Sequence, residues 1–182
     1  SYESVSFLKG ACHTCIDYAV DDGIINKNFT NNVEISYDAS RTRKVEYLNN
    51  SELQKLKKFT VDKLDQHYTS RYMILTAIYT GMRKGEIQAL TWNDIDFLHS
   101  TISISKSWDE KGKAFKPTKT SSSNRVIKVN RELLEYLGDL RANGSTMVFR
   151  NMFGTIPTSN ALNKCLHEVM KEAGIPKQEF HF

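Results

Sequence analysis

Arg83 and Glu86 are the pair in this chain whose types and spacing most directly suggest chemistry. They follow an apolar run, Met73-Ile74-Leu75-Thr76-Ala77-Ile78-Tyr79, that reads as a buried helix. Gly81 supplies the left-handed residue that ends such a helix, and a second helix starts within a residue or two. That places Arg83 at the first turn of the new helix, with Glu86 three residues on, where its carboxylate can fix the guanidinium. Ile87 and Leu90 share that side as core anchors. A charge held rigidly beside a core is costly without a partner or a task. A guanidinium so held can present a planar pair of donors to a phosphate; the plainer reading is an Arg–Glu pair that pins a helix start.

A second candidate is the stretch Lys116-Pro117-Thr118-Lys119-Thr120-Ser121-Ser122-Ser123-Asn124, small, polar and basic. It cannot be core, and it can offer hydroxyls, backbone N–H groups and an ammonium to a phosphate. Taken alone it reads equally as a flexible basic loop. Cys12-His13-Thr14-Cys15 has half the spacing of a zinc site, but no second Cys/His pair follows. Leu8, Cys12, Cys15 and Ala19 mark one face of a helix, beside Ala11, Ile16 and Val20, and small buried thiols explain them better, so no metal is expected.

The elements that position these residues follow from periodicity. Residues from about Ser4 to Asp22 form an amphipathic helix stopped by Gly23, and a polar linker with Arg41, Arg43 and Lys44 runs from about Asn31 to Tyr47. Asn49 and Glu52 form a capping box, and Leu48 with Leu53 has staple spacing. Leu53, Leu56 and Leu64 make the apolar face of the helix that follows, with Lys55, Lys57 and Lys58 in water. Alternation at Ile102 and Ile104 predicts a strand. Lys111-Gly112-Lys113 marks the turn region of a hairpin returning along Arg125–Val129. Glu132–Leu140 is helical and stops near Asn143-Gly144; Ser159 or Asn160 caps a last helix ending at Gly174.

The run Thr-Gly-x-Arg-x-x-Glu, then Leu-x-Trp-x-Asp-Ile-Asp, from Thr80 to Asp96, resembles the first catalytic box of the tyrosine recombinases, the phage-integrase family. The resemblance implies an α+β, mainly helical fold: a tyrosine-recombinase catalytic domain with a small antiparallel β-sheet or hairpin, preceded by a remnant helix of a helical core-binding domain. The expected division is 1–30 for the end of the core-binding domain, 31–47 for the linker and 48–182 for the catalytic domain. The family's Lys-Thr-x-x-Ser-x-Arg-x-Ile pattern falls on Lys119, Thr120, Ser123, Arg125 and Ile127. By resemblance Arg83 and Lys119 are catalytic, Glu86 supports Arg83, and Lys84, Lys116, Thr120, Ser123 and Arg125 contact nucleic acid. The His-x-Leu-Arg-His box should follow Gly174-Ile175-Pro176; His181 stands two residues before it or is its first histidine, the family's usual spacing favouring the former. None of the eight tyrosines occupies the nucleophile's place, so the chain is expected to stop short of that box and, alone, to cleave nothing.

The implied function is site-specific DNA recombination for a phage or mobile element, through a 3′-phosphotyrosine and without cofactors. The implied partners are double-stranded DNA and further copies of the protein, four in the recombination synapse. A type IB topoisomerase-like enzyme and a non-catalytic DNA-binding fragment are the alternatives. A net charge of +4 and a pI near 8.9 permit a nucleic-acid partner without requiring one. With no apolar run of membrane-spanning length, no secretory signal and three cysteines, the chain reads as a reduced protein of the bacterial cytoplasm.

Overall fold

The computed structural model describes residues 2–38, 40, 47–118, 120 and 123–176. Contacts divide the chain into two compact units, Ser1–Val45 and Glu46–Phe182.

The first unit is built on α1 (Tyr2–Asp21), after which Gly23 takes φ +70° and turns the chain back. The returning segment docks through polar groups. Asn28 Nδ2 donates to Asp17 Oδ1 at 2.6 Å and to the His13 carbonyl at 3.2 Å, and Thr30 Oγ1 lies 2.8 Å from His13 Nδ1. Asn28 and Thr30 are buried, whereas no residue of α1 is. This corrects the expected burial face at Leu8, Ala11, Cys12 and Cys15, while Ile16, Ala19 and Val20 are half-buried as expected. Leu8 is 62% exposed and Cys12 and Cys15 are both exposed. The half-buried side carries Val5, Lys9, His13, Ile16 and Val20, because the hydrogen bonds to Asn28 turn His13 and Asp17 toward the returning chain.

The second unit opens at the expected capping box. Asn49 Oδ1 accepts from the Glu52 N–H at 2.9 Å, and Glu52 Oε2 accepts from the Asn49 N–H at 2.8 Å, starting α2 (Asn50–Val61). Lys57 departs from expectation. It is half-buried, with Nζ 3.0 Å from Glu132 Oε2 and 4.6 Å above the Tyr79 ring. Central to the unit is α3 (Ser70–Thr80), whose Tyr72 to Thr76 are buried in succession because α2, α5 (Arg131–Asp139) and α6 (Ser159–Glu172) surround it. Gly81, at φ +62°, ends α3 as a left-handed cap, and α4 (Lys84–Gln88) starts three residues later.

A helix of five residues does not hold itself in water. Burial of Ile87 and of the following Leu90 anchors α4, at about 1.5–3 kcal/mol per side chain. Beyond a 3₁₀ turn at Trp92–Asp94 comes an antiparallel sheet of order β1-β2-β5: β1 (Ile95–Asp96), β2 (Thr101–Ile104) and β5 (Arg125–Lys128). Ile102 pairs with Ile95 on one side and Ile127 on the other, and Ile104 pairs with Arg125. Ile102 and Ile104 face the core as the alternation predicts.

Between β2 and β5 the chain makes an unexpected second ribbon, β3 (Lys106–Asp109) with β4 (Ala114–Pro117). Trp108 sits opposite Phe115, their rings 5.4 Å apart and edge-to-face. Lys116 is therefore a strand residue paired with Ser107, not part of a loop. The domain closes with α5 (Arg131–Asp139), a 3₁₀ turn ending at Gly144, and α6 (Ser159–Glu172). The cap of α6 is Thr158 rather than Ser159 or Asn160: its hydroxyl accepts from Ala161 N at 3.4 Å, while the Ser159 hydroxyl is engaged elsewhere.

Candidate functional site: a cleft around Arg83

Arg83 is the residue immediately before α4, extended at φ −69° and ψ 148°, so its side chain leaves the chain at the corner cut by Gly81. Glu86, one turn into α4, is the buried anchor. Its side chain is 3% exposed and accepts from the Arg83 N–H at 3.1 Å and from Arg83 Nη1 at 3.0 Å. The same carboxylate takes Arg125 Nη2 at 2.9 Å and Nη1 at 3.3 Å from β5. Burial pushes the Glu86 carboxyl up, but the hydrogen bonds from Arg125 and Arg83 outweigh it and hold the group below its usual range. One buried negative charge thus serves two guanidiniums, leaving the group a net positive charge.

The Arg83 side chain is 63% exposed, so Glu86 orients it without covering it. Its Nη1 also donates to Ser123 Oγ at 3.3 Å, and Ser123 Oγ lies 2.8 Å from Thr120 Oγ1. Ser123 is buried. Arg83, Thr120, Ser123, Arg125 and Gly81 line an open cleft of about 350 Å³. Guanidinium groups and hydroxyls on one concave surface make a receptor for a tetrahedral oxyanion.

The structure therefore gathers Arg83, Glu86, Thr120, Ser123 and Arg125. Lys84 points elsewhere: its Nζ is 3.0 Å from Glu110 Oε1 and contacts Ser159 Oγ. Lys116 lies exposed on β4. Lys119 and His181 fall outside the described residues.

Sequence reasoning missed Glu110. Its Oε1 accepts from Gln88 Nε2 at 2.9 Å and from the N–H and hydroxyl of Ser159 at 3.0 and 2.7 Å, in addition to Lys84. Burial raises the Glu110 carboxyl, yet the bonds from Ser159, Gln88 and Lys84 hold it down at about 2. Gln88 also donates to the Pro157 carbonyl at 2.8 Å, and serving two acceptors leaves its own buried Oε1 without a partner among the described residues. Such an orphan costs about 1–3 kcal/mol, so the network has to outweigh it. No local pattern signals this cluster; its bonded side-chain partners are 22 to 75 positions apart.

The phage integrase family matches residues 46–182. A tyrosine recombinase XerC-like protein of Caldanaerobacter subterraneus subsp. tengcongensis is 28% identical over a 213-residue alignment. That alignment takes in 100% of this chain and 53% of the relative, so the chain spans about half the relative's length. The integrase of transposon Tn1549 in complex with transposon right end DNA superposes with a TM-score of 0.72 at 20% identity, covering 98% of this chain and 61% of that one. A lambda integrase dimer bound to a COC′ core site gives 0.59 at 16% identity, over 96% of this chain and 46% of that one. XerA recombinase gives 0.56 at 20%, over 81% and 48%. At these identities the structural likeness shows the fold, a recombinase catalytic fold of helices and small antiparallel sheets.

Proposed function

This chain belongs to the phage integrase family, and on that premise we propose that it forms part of a site-specific DNA recombinase that breaks and rejoins strands through a 3′-phosphotyrosine. The observation that carries this is the Arg83 guanidinium, fixed by buried Glu86 yet open on a cleft with Arg125, Thr120 and Ser123. The family's tyrosine hydroxyl attacks the scissile phosphate and expels the 5′ oxygen. The P–O bond to the 5′ oxygen is exchanged for a P–O bond to tyrosine of similar energy, so the strand can be rejoined without ATP.

In this reading Arg83 meets the non-bridging oxygens as negative charge builds on the crowded phosphorus. Glu86 keeps the fork aimed, and its second partner Arg125 adds positive potential beside the phosphate. Lys119 gives a proton to the departing 5′ oxygen. Thr120 and Ser123 present hydroxyls, and Lys116 meets the DNA backbone from β4. Lys84 is not among the phosphate ligands, because Glu110 holds it. Residues 1–30 contribute the last helix of a core-binding domain on double-stranded DNA, 31–47 serve as linker, and four copies assemble in the synapse. The setting is the host cytoplasm; among the described residues no helix is long and apolar enough to cross a membrane.

The test is covalent trapping. The full-length protein, incubated with a nicked duplex whose cleaved end diffuses away, should give a protein–DNA adduct on a denaturing gel. Arg83→Ala should lower its rate of formation roughly 100- to 1,000-fold, the scale for a lost transition-state donor. An undiminished rate in Arg83→Ala would dismiss the reading.

A further inference from the structure

Glu86 fixes the Arg83 side chain, but it rides on α4 itself and can fix that helix only through partners on other elements. On one side Arg125 links Glu86 to β5. Lys84 and Gln88 are four residues apart and so share the other side of α4. Both end on Glu110 Oε1, at 3.0 and 2.9 Å. Glu110 directly follows β3, and the same oxygen receives the N–H and hydroxyl of Ser159 at the start of α6. One oxygen thereby joins both ends of α4 to the ribbon and to α6. Two further contacts stiffen the ribbon's hold. A Cβ built on Gly85 would fall 2.4 Å from Ser107 Oγ, so β3 lies directly on α4. At the other end of β3, Lys106 pairs with Asp94 at 2.6 Å. Glu86, Ile87 and Gln88 are buried in succession, so α4 is held on more than one side, and any residual roll of α4 swings the long Arg83 side chain further than the axis.

We infer that Glu110 is a positioning residue for Arg83: it fixes the roll of α4 and draws the neighbouring Lys84 ammonium out of the cleft, so that the scissile phosphate meets a guanidinium in one orientation. This rests on the strand-transfer reading of Arg83. It also explains why Gln88 gives both its amide hydrogens to Glu110 and Pro157 while its buried oxygen goes unpaired.

The experiment compares Glu110→Ala, Glu110→Gln and Arg83→Ala in the full-length protein on two duplexes. One has an ordinary scissile phosphodiester, the other a neutral methylphosphonate at that position. Without the non-bridging charge a guanidinium has little to stabilise, so the Arg83→Ala defect should shrink on the methylphosphonate. Glu110→Ala should cleave the phosphodiester on the order of 10- to 100-fold more slowly, the scale of a small misplacement, with DNA affinity unchanged. Most of that loss should vanish on the methylphosphonate, as for Arg83→Ala. Glu110→Gln still accepts from Ser159 but loses the charge that draws Lys84, so a smaller loss with the same substrate dependence is expected. Equal losses on both duplexes for either Glu110 variant, or none for Glu110→Ala, overturn the inference while leaving Arg83 its role. If the Arg83→Ala defect itself persists on the methylphosphonate, the reading of Arg83 falls first and the inference with it.

Discussion

Replacing Glu86 by Gln tests whether the cleft depends on charge or on shape. The carboxylate accepts four bonds, two at each oxygen: the Arg83 N–H and Arg125 Nη2 at Oε2, Arg83 Nη1 and Arg125 Nη1 at Oε1. An amide of the same shape must turn its NH₂ toward one of these pairs, so two bonds become donor against donor in either orientation. A bond to a charged group contributes about 1.5–3 kcal/mol, and breaking a buried pair costs about 3–5. Arg83 is mostly exposed and Arg125 one-third exposed, so water recovers part of this. The expected loss is about 3 kcal/mol, or roughly 10 °C in the melting of the Glu46–Phe182 unit. Urea unfolding followed by Trp fluorescence at pH 7 measures it. The folded carboxyl lies below its ordinary value of 4.5. Its contribution is therefore complete above that range and is lost as pH falls through the folded value. Wild type and Glu86→Gln should converge in acid. A variant as stable as wild type at neutral pH, or a difference that does not shrink at all as the solution is acidified, would refute the argument.

Two further outcomes follow from other parts of the unit. Lys119→Ala should leave DNA affinity nearly intact and slow cleavage by roughly two orders of magnitude or more, the scale of a general acid. A sulfur at the bridging 5′ position, which leaves without a proton, should restore most of the rate; equal defects on both substrates would show that Lys119 acts by charge or shape instead. Gly85→Ala should destabilise the unit by about 1–3 kcal/mol through overpacking against Ser107. Adding Ser107→Ala should return stability to wild type or above it, since alanine is the better helix former; additive effects in urea melts would contradict the close approach.

Local signals proved legible where the chain solves a local problem. Gly81 at the corner, the Asn49–Glu52 box and the Arg83–Glu86 spacing each depend on residues within four positions, and each is formed. The downstream half of the Thr80–Asp96 run serves structure. Leu90 is buried, Trp92 Nε1 donates to the Ser145 carbonyl at 2.9 Å, and Asp94 Oδ2 accepts from the Thr91 N–H. What stayed hidden depends on distance along the chain. Arg125 looked like a DNA contact, and nothing near it announces Glu86, 39 residues away. The β3–β4 ribbon was legible only at its turn, Lys111-Gly112-Lys113, because neither of its strands shows the alternating burial pattern that marks β2. On α1 the apolar count pointed to Leu8, Cys12 and Cys15, whereas hydrogen bonds from one buried asparagine favour the adjoining face with His13, Ile16 and Val20.

That last feature bears on calorimetry. The heat-capacity step of unfolding comes chiefly from apolar surface newly hydrated. Among the described residues of the first unit only the polar Asn28 and Thr30 are fully buried, and α1 withdraws its apolar Val5, Ile16, Ala19 and Val20 only in part. Its unfolding should remove twenty residues of helix from the far-ultraviolet dichroism with only a small heat-capacity change. The Glu46–Phe182 unit, with its core around α3, should carry almost the whole step. A scanning calorimeter and a dichroism melt would therefore weigh the two parts of one chain very differently.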